Sequence, residues 1–283
     1  MKFGANTWIW FSPLTIENLT STAAQMATAG FDMIELPIEA TNAFDYKQAA
    51  AVIKEHGLGV SACAAMGPDR DLIHPEKEIR ENGMAYVRHC IEAAQTLGAS
   101  NLVGPIYSAV GRTWQMTAEE RARDTDLLVS QLSQLADHAA GHGVTLCIEP
   151  LNRFETSFIN LAAQAIEVVD QVDNPACKIL LDAFHMNIEE PSLGDAIRAV
   201  GKARLGHFHA CENDRGVPGS GHVPWDDVAQ ALADINYEGP VVIESFTAKV
   251  KTIARAAAIW RALAPTQDAI AYDGLKFLKK LLS

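Results

Sequence analysis

Val144-Thr145-Leu146-Cys147-Ile148 is apolar at four of its five positions and shows no alternation with polar residues. A strand with one wet face would alternate, so this run suits a strand of a parallel sheet covered on both sides. With Glu149 it forms a candidate strand over 144–149. Three runs of the same kind lie downstream, at Lys178–Asp182, Leu205–Ala210 and Val241–Glu244. Four lie upstream, at Phe3–Trp8, Met33–Leu36, Leu58–Ala64 and Asn101–Gly104. The segments between them carry helical periodicity. Across 77–97, Met84, Val87, Ile91 and Ala94 recur at steps of 3, 4 and 3, which places them on one helical face. Across 117–140, Leu128, Leu132, Leu135 and Ala139 do the same. That second helix opens on Thr117-Ala118-Glu119-Glu120, a capping-box pattern, and closes at Gly141 and Gly143. Gly30, Gly57, Gly98 and Gly239 likewise separate a helical stretch from the next strand.

Eight such strand-then-helix units in 283 residues predict a single (β/α)8 TIM barrel, whose usual size is about 250 residues. An open doubly wound sheet is the alternative. It fits less well, because no G-x-G-x-x-G follows the first strand and no Walker-type loop is present. No Pro/Ser-rich linker, charge block or low-complexity stretch divides the chain, so residues 1–283 read as one domain. Asp268–Leu282 reads as an extra C-terminal helix covering the barrel or a partner.

Lys and Arg total 23 against 35 Asp and Glu, a net charge of −12, and the isoelectric point is near 5.2. A nucleic-acid binder needs a basic face to replace phosphate counterions, so the charge balance argues against that class, and an anionic membrane surface is disfavoured for the same reason. No run of 18 apolar residues occurs, so no transmembrane helix is expected. The five cysteines are odd in number and form no C-x-x-C pair, which suits a reduced chain. Met1–Asn6 lacks the apolar stretch of a signal peptide, and the expected compartment is the cytoplasm.

In a barrel of this kind functional groups gather where strands end and the following loops begin. The last four candidate strands each end in a possible metal ligand: Glu149 in Cys147-Ile148-Glu149-Pro150, Asp182 in Leu180-Leu181-Asp182-Ala183, His209 in His207-Phe208-His209-Ala210, and Glu244 in Val242-Ile243-Glu244-Ser245. Their spacings of 33, 27 and 35 residues are each about one repeat, so the four side chains can converge on one point above the barrel. Any one of these acids could simply cap the next helix. Four in register, three of them carboxylates, would be severely destabilising without a cation, because buried charges cost several kcal/mol to desolvate. Mostly hard oxygen donors suit Mn²⁺, with Co²⁺ or Mg²⁺ as alternatives. His207 lies on the same side of its strand but one layer deeper, and reads as a hydrogen-bonded core residue. Cys147 and Cys211 read as packing residues.

From here the sequence resembles the ketose 3-epimerases, within the xylose-isomerase-like sugar isomerase barrels. The likeness is strongest over about 145–246 and rests on four stretches: Cys147–Glu155 (CIEPLNRFE), Leu181–Glu190 (LDAFHMNIEE), Gly206–Gly219 (GHFHACENDRGVPG) and Val242–Phe246 (VIESF). The resemblance implies epimerisation at C3 of free ketoses of the D-tagatose, D-fructose/D-allulose or L-ribulose type. It also implies metal ligands Glu149, Asp182, His209 and Glu244, with Glu149 and Glu244 doubling as the acid/base pair. Glu155, His185 and Arg215 fall where the family holds the oxygens on C1–C3. Read from the residues alone, Arg215 is equally a loop salt bridge and Glu155 a helix-start acid. The resemblance further implies a homodimer or homotetramer acting on a small-molecule ketose. Met66-Gly67-Pro68, Ile106-Tyr107-Ser108 and Trp114 are expected to shape the far end of the pocket, and for Trp8 and Trp114 core packing is an equal alternative. Arg70 and Arg112 are the cations available should the sugar carry a phosphate. An aldose–ketose or hydroxypyruvate-type isomerase on the same scaffold is the nearest rival. A DNA-repair endonuclease of this barrel type would need more His/Asp ligands and a basic surface, and a non-catalytic sugar-binding barrel would not need two ionisable carboxylates on the metal.

Overall fold

The computed structural model describes residues 1–39 and 44–282. Eight parallel strands close into a barrel in sequence order: β1 (Lys2–Asn6), β2 (Met33–Pro37), β3 (Gly59–Cys63), β4 (Asn101–Gly104), β5 (Thr145–Ile148), β6 (Cys177–Asp182), β7 (Leu205–His209) and β8 (Pro240–Ile243). Closure comes from β1 pairing with β8, with Gly4 opposite Val242 and Ala5 opposite Ile243. Around it run α1 (Ile16–Ala29), α2 (Tyr46–Glu55), α3 (Lys77–Leu97), α4 (Ala118–Gly141), α5 (Ala162–Val172), the short α6 (Ala183–Glu189), α7 (Leu193–Arg204), α8 (Trp225–Asp234), the short α9 (Lys251–Ala256) and α10 (Gln267–Leu281). The C-terminal helix expected over 268–282 is α10, which packs against β8, β1 and α8 and so fills the outer ring beside the closing strands. Beyond one helix per strand, the described residues add α6 and α9, both in connections on the side where strands end.

Period-two alternation along the strands sorts their residues between the barrel interior and the helix layer. Ala5, Ile34, Leu36, Val60, Ala62, Leu146, Ile148, Leu181, Phe208 and Ile243 belong to the large core shared with the helices. Cys63, Val103, Cys147 and Leu180 form a separate small apolar cluster, filling one side of the barrel interior. The other side is lined by polar residues: Asn6, Glu35, Ser61, His207 and His209 are all buried to 1% exposure or less. Continuing the alternation one step past Ile148, Leu181, Phe208 and Ile243 turns Glu149, Asp182, His209 and Glu244 inward at the mouth.

The boundaries differ from expectation in small ways. The first strand stops at Asn6 rather than Trp8, because the Asn6 side chain accepts a hydrogen bond from the Trp8 backbone N–H and caps a one-turn 3₁₀ helix over Thr7–Ile9. Glu149 and Glu244 fall one residue beyond β5 and β8. The capping box is formed in both directions: Glu120 N–H donates to Thr117 Oγ1 at 3.1 Å, and Thr117 N–H donates to Glu120 Oε2 at 2.8 Å. Gly104 ends β4 with φ of +121°, and a Cβ there would collide with the Ala64 carbonyl oxygen at the end of the neighbouring β3. Only glycine lets the two strands leave the sheet so close together.

Candidate active site

Asp182 and His209 face each other as paired residues of β6 and β7, and Glu149 and Glu244 follow the ends of β5 and β8. All four are buried, and one ligand atom from each lies within 4.8 Å of the others. Asp182 is the N-cap of α6: its Oδ1 accepts from Phe184 N–H at 2.8 Å. Its Oδ2 points into the site, so the two oxygens of one carboxylate can serve separate ends, one as a cap and the other as a candidate ligand.

His209 is held from behind. Its Nε2 lies 2.9 Å from Glu35 Oε1, while its Nδ1 faces the site, 3.5 Å from Glu244 Oε2, and has no hydrogen-bond partner. Glu35 is fully buried in β2. Its Oε1 also accepts from Asn6 Nδ2 at 2.9 Å, and its Oε2 accepts from Ser61 Oγ at 2.8 Å and lies 3.0 Å from His207 Nε2. Burial alone would raise the Glu35 carboxyl, but His209 and His207 outweigh it and hold it well below its ordinary range. The ionised Glu35 therefore takes the Nε2 proton of His209 as a hydrogen bond. Burial lowers this imidazole, but Glu244 and Glu35 outweigh it and raise it well above its ordinary value, and a cation in the site would take the place of the proton on Nδ1. This is the arrangement by which a carboxylate fixes the tautomer of a metal-binding imidazole. His207 sits in the layer below, as the strand alternation requires.

On the other side stand Arg215 and His185. Arg215 Nη1 lies 2.6 Å from both Asp182 Oδ2 and Glu244 Oε2, and its guanidinium stacks on Phe184 at 4.1 Å. Its backbone has φ of +67°, which costs a non-glycine residue about 1–3 kcal/mol and persists only where surroundings enforce it. Here Arg215 N–H donates to the Glu212 carbonyl and Ser245 Oγ donates to the Arg215 carbonyl. Glu212 in turn is fully buried and accepts from Trp225 Nε1 and from the N–H groups of Gly219 and Asn213, which ties the loop after β7 together. His185, on α6, receives the Asn152 backbone N–H at Nδ1 at 3.0 Å, so its proton is on Nε2. Burial pushes this imidazole down to about 3, which keeps it neutral. Its Nε2–H lies 3.1 Å from Arg215 Nη2 and 3.6 Å from Glu149 Oε1. Two donors thus face one another, and an acceptor oxygen placed between them would satisfy both. Glu155 Oε1 accepts from Asn152 Nδ2 at 2.8 Å, and burial raises its carboxyl.

The two glutamates sit in contrasting fields. Burial, followed by Glu244 and Asp182, raises Glu149 well above the ordinary carboxylate range. For Glu244 burial also pushes upward, but His209 and Arg215 outweigh it and hold the group low. Glu149 Oε1 and His209 Nδ1 are both buried without a hydrogen-bond partner, and both belong to the converging set. Unsatisfied buried acceptors are costly, and a cation shared by these atoms is what would satisfy them. A divalent ion therefore fits the residues present, held by Glu149, Asp182, His209 and Glu244.

Glu149, Glu155, His185, Arg215 and Glu244 all line one cavity of about 320 Å³, a size suited to a small molecule. Its outer walls include Trp8 and Phe246, whose ring centroids are 5.6 Å apart, together with Met66, Gly67, Arg70 and Tyr86. The short α9 adds Ile253 and Ala256. Several of the expected far-end residues lie elsewhere. Trp114 is exposed beside the Arg112 guanidinium and does not line the cavity. Ile106 and Ser108 are buried in the wall behind Pro105, and Tyr107 acts indirectly, its hydroxyl donating to the Glu149 carbonyl at 2.9 Å. Arg112 is buried and committed to Asp124 at 2.6 Å, so of the two candidate cations only Arg70 reaches the cavity. Glu35, Asn152 and Glu212 were not singled out from sequence. The signal for Glu35 was an acid in the middle of the apolar Met33-Ile34-Glu35-Leu36 run, a place where a charge must have partners.

A barrel whose strand ends bring three carboxylates and an imidazole together at the base of a small-molecule cavity defines a class, and comparison with known proteins agrees with it. The chain belongs to the xylose isomerase-like TIM barrel family, whose model matches residues 23–281. Within that family it is similar to ketose 3-epimerases. It is 33% identical to a probable ketose 3-epimerase from Synechocystis sp., over 99% of this chain and 96% of that protein. It is 35% identical to a D-psicose 3-epimerase from Ruminiclostridium cellulolyticum, over 86% of this chain and 84% of that one. Among solved structures, D-allulose 3-epimerase from Methylomonas sp. in complex with D-allulose superposes with a TM-score of 0.92 at 29% identity, covering 99% of this chain and 96% of the other.

Proposed function

We propose that this chain is a divalent-metal-dependent ketose 3-epimerase that inverts C3 of a free ketose of the D-tagatose, D-fructose/D-allulose or L-ribulose type. The class is isomerase, as for its relatives. The observation that carries the reading is the convergence of Glu149, Asp182, His209 and Glu244 on one buried point, with two of those glutamates lining the cavity beside His185 and Arg215.

The hydrogen on C3 of a 2-ketose is weakly acidic, because its loss moves negative charge onto O2. A divalent ion in the four-residue site would supply Lewis-acid stabilisation of that charge. Loss of the proton makes C3 planar, as a cis-enediolate, and inversion then needs a proton from the opposite face. One base cannot deliver it without the sugar turning over. Glu149 leaves the end of β5 and Glu244 the end of β8, so two carboxyl groups reach the cavity from separate sides. One removes the C3 proton and the other returns one, and the roles exchange for the reverse epimer. His185 Nε2–H and the Arg215 guanidinium offer hydrogen bonds to the oxygens on C1–C3, and Glu155 accepts from a hydroxyl. Trp8 and Phe246 cover the carbon chain and limit water.

Oxygen-rich ligation with one imidazole supports Mn²⁺, with Co²⁺ or Mg²⁺ as substitutes. The retention of Arg112 by Asp124 and the stacking of the Arg70 guanidinium on Tyr86 at 3.8 Å support an unphosphorylated substrate. All five cysteines are buried and unpaired, which supports a reducing compartment, the cytoplasm. Among the described residues no helix is long and apolar enough to cross a membrane. Exposed Trp114, Phe154 and Trp260 lie in connections at the C-terminal face and give a homodimer or homotetramer apolar surface to cover. The test is NMR in D₂O with a panel of free ketoses and Mn²⁺ restored after chelation. Deuterium at C3 together with the C3 epimer is expected. Exchange confined to C1, with an aldose as product, would replace this reading by an aldose–ketose isomerase.

A further inference from the structure

The outer ring of the barrel carries a second cluster of metal-binding residues, far from the cavity and built from different chemistry. Helices α3 and α4 run side by side, and each runs back from the mouth of the barrel toward the opposite face. Glu92 lies near the end of α3, and His138 and His142 lie at the end of α4, so the three residues meet at the face away from the active site. One ligand atom from each lies within 4.8 Å of the others. His138 Nε2 is 3.7 Å from Glu92 Oε1, and the two imidazole centroids are 4.3 Å apart.

Two further observations point to a ligand. First, His138 Nε2 is sequestered from solvent and has no hydrogen-bond partner. Second, His142 Nδ1 lies 2.8 Å from the His138 carbonyl oxygen, which can only accept. That contact puts the His142 proton on Nδ1 and leaves Nε2 as the nitrogen with the lone pair, the way a backbone carbonyl commonly orients a metal-binding histidine. Glu92 places its carboxylate on the same side as His138 Nε2, where it would offset the charge of a bound cation.

We propose that Glu92, His138 and His142 form a second metal site, for a borderline transition ion such as Zn²⁺, Ni²⁺ or Cu²⁺, that joins α3 to α4 and plays no part in catalysis. Two imidazoles and one carboxylate leave a position for water, a donor set such ions take readily. The hard, carboxylate-rich centre at the barrel mouth favours Mn²⁺ or Mg²⁺, so the two sites select different metals.

The test is to load the enzyme with Mn²⁺ and titrate it with Zn²⁺, counting bound metal per chain by native mass spectrometry and following Zn²⁺ affinity by calorimetry. The wild type is expected to take up one more metal ion per chain than His142→Ala or His138→Ala. Glu92→Gln should retain the extra ion with at least tenfold weaker affinity. In all three variants the Mn²⁺-supported activity and circular dichroism should match the wild type. Equal metal counts in the wild type and both histidine variants would overturn the proposal. So would loss of the Mn²⁺-supported activity in His142→Ala, since that would tie the cluster to the catalytic centre.

Discussion

Glu35→Gln exchanges one buried oxygen for an NH₂ group, and the structure gives that amide nowhere to go. Three donors converge on the carboxylate, Asn6 Nδ2 at 2.9 Å and His209 Nε2 at 2.9 Å on one oxygen and Ser61 Oγ at 2.8 Å on the other, beside which His207 Nε2 lies at 3.0 Å. Whichever way the amide turns, its NH₂ faces at least one donor, and the charge that draws the His209 proton is gone. Leaving buried donors unsatisfied costs about 1–3 kcal/mol. Freed from Glu35, His209 no longer has its Nδ1 lone pair held toward Glu149, Asp182 and Glu244. Losing such an outer partner typically weakens metal binding by about 10–100-fold, equivalent to roughly 1.4–2.7 kcal/mol. The assay is calorimetric titration of Mn²⁺ into chelated protein, alongside kcat at saturating Mn²⁺. The expected outcome is a 10–100-fold weaker Kd with kcat reduced far less, since Glu35 does not line the cavity. A Kd within threefold of wild type would refute the role assigned to Glu35.

Three other perturbations follow from the same geometry. Glu244→Gln should lower C3 epimerisation by about 10³-fold or more while leaving circular dichroism unchanged, because the loss of a positioned acid/base group carries that order of effect; near-wild-type turnover on every ketose tested would dispose of the two-carboxylate scheme. Mn²⁺ at 100 times its Kd should stabilise the chelated protein by about 2.7 kcal/mol, or roughly 5 °C in a thermal melt; an unchanged melting temperature would mean the four buried ligands do not hold the ion. Asp124→Ala leaves the Arg112 guanidinium buried without its partner, both side chains being less than 5% exposed. About 3–5 kcal/mol should be lost in urea denaturation, and a loss below about 1 kcal/mol would show that water or Met116 compensates.

Most of the barrel was legible because its signals are local. Apolar runs, helical periodicity and the Thr117–Glu120 cap each depend on residues close in sequence, and all eight strands lie where those patterns put them. The four metal-site candidates were legible for a related reason: each ends a strand, and the repeat length carries them to the same height. What escaped was the set of contacts made across the barrel. The pairing of Glu35 with His209 joins residues 174 positions apart, and nothing in either local sequence names the other. The walls of the cavity escaped too, because a loop residue such as Trp114 has no periodicity that says whether it turns inward or out. Arg112 could be read as a cation near the mouth, but its burial against Asp124 depends on where α4 settles.

Asp182 carries a consequence for redesign. One of its oxygens starts α6, and His185 sits three residues along that helix, so the distance from the candidate divalent site to the imidazole is set by a single short side chain. Glutamate, usually the conservative exchange for aspartate, could still extend an oxygen to the ion. Its extra methylene would lift the other oxygen away from the Phe184 amide and let the first turn of α6 unwind, taking the imidazole with it. Tolerance to substitution at this position is therefore governed by reach rather than by charge.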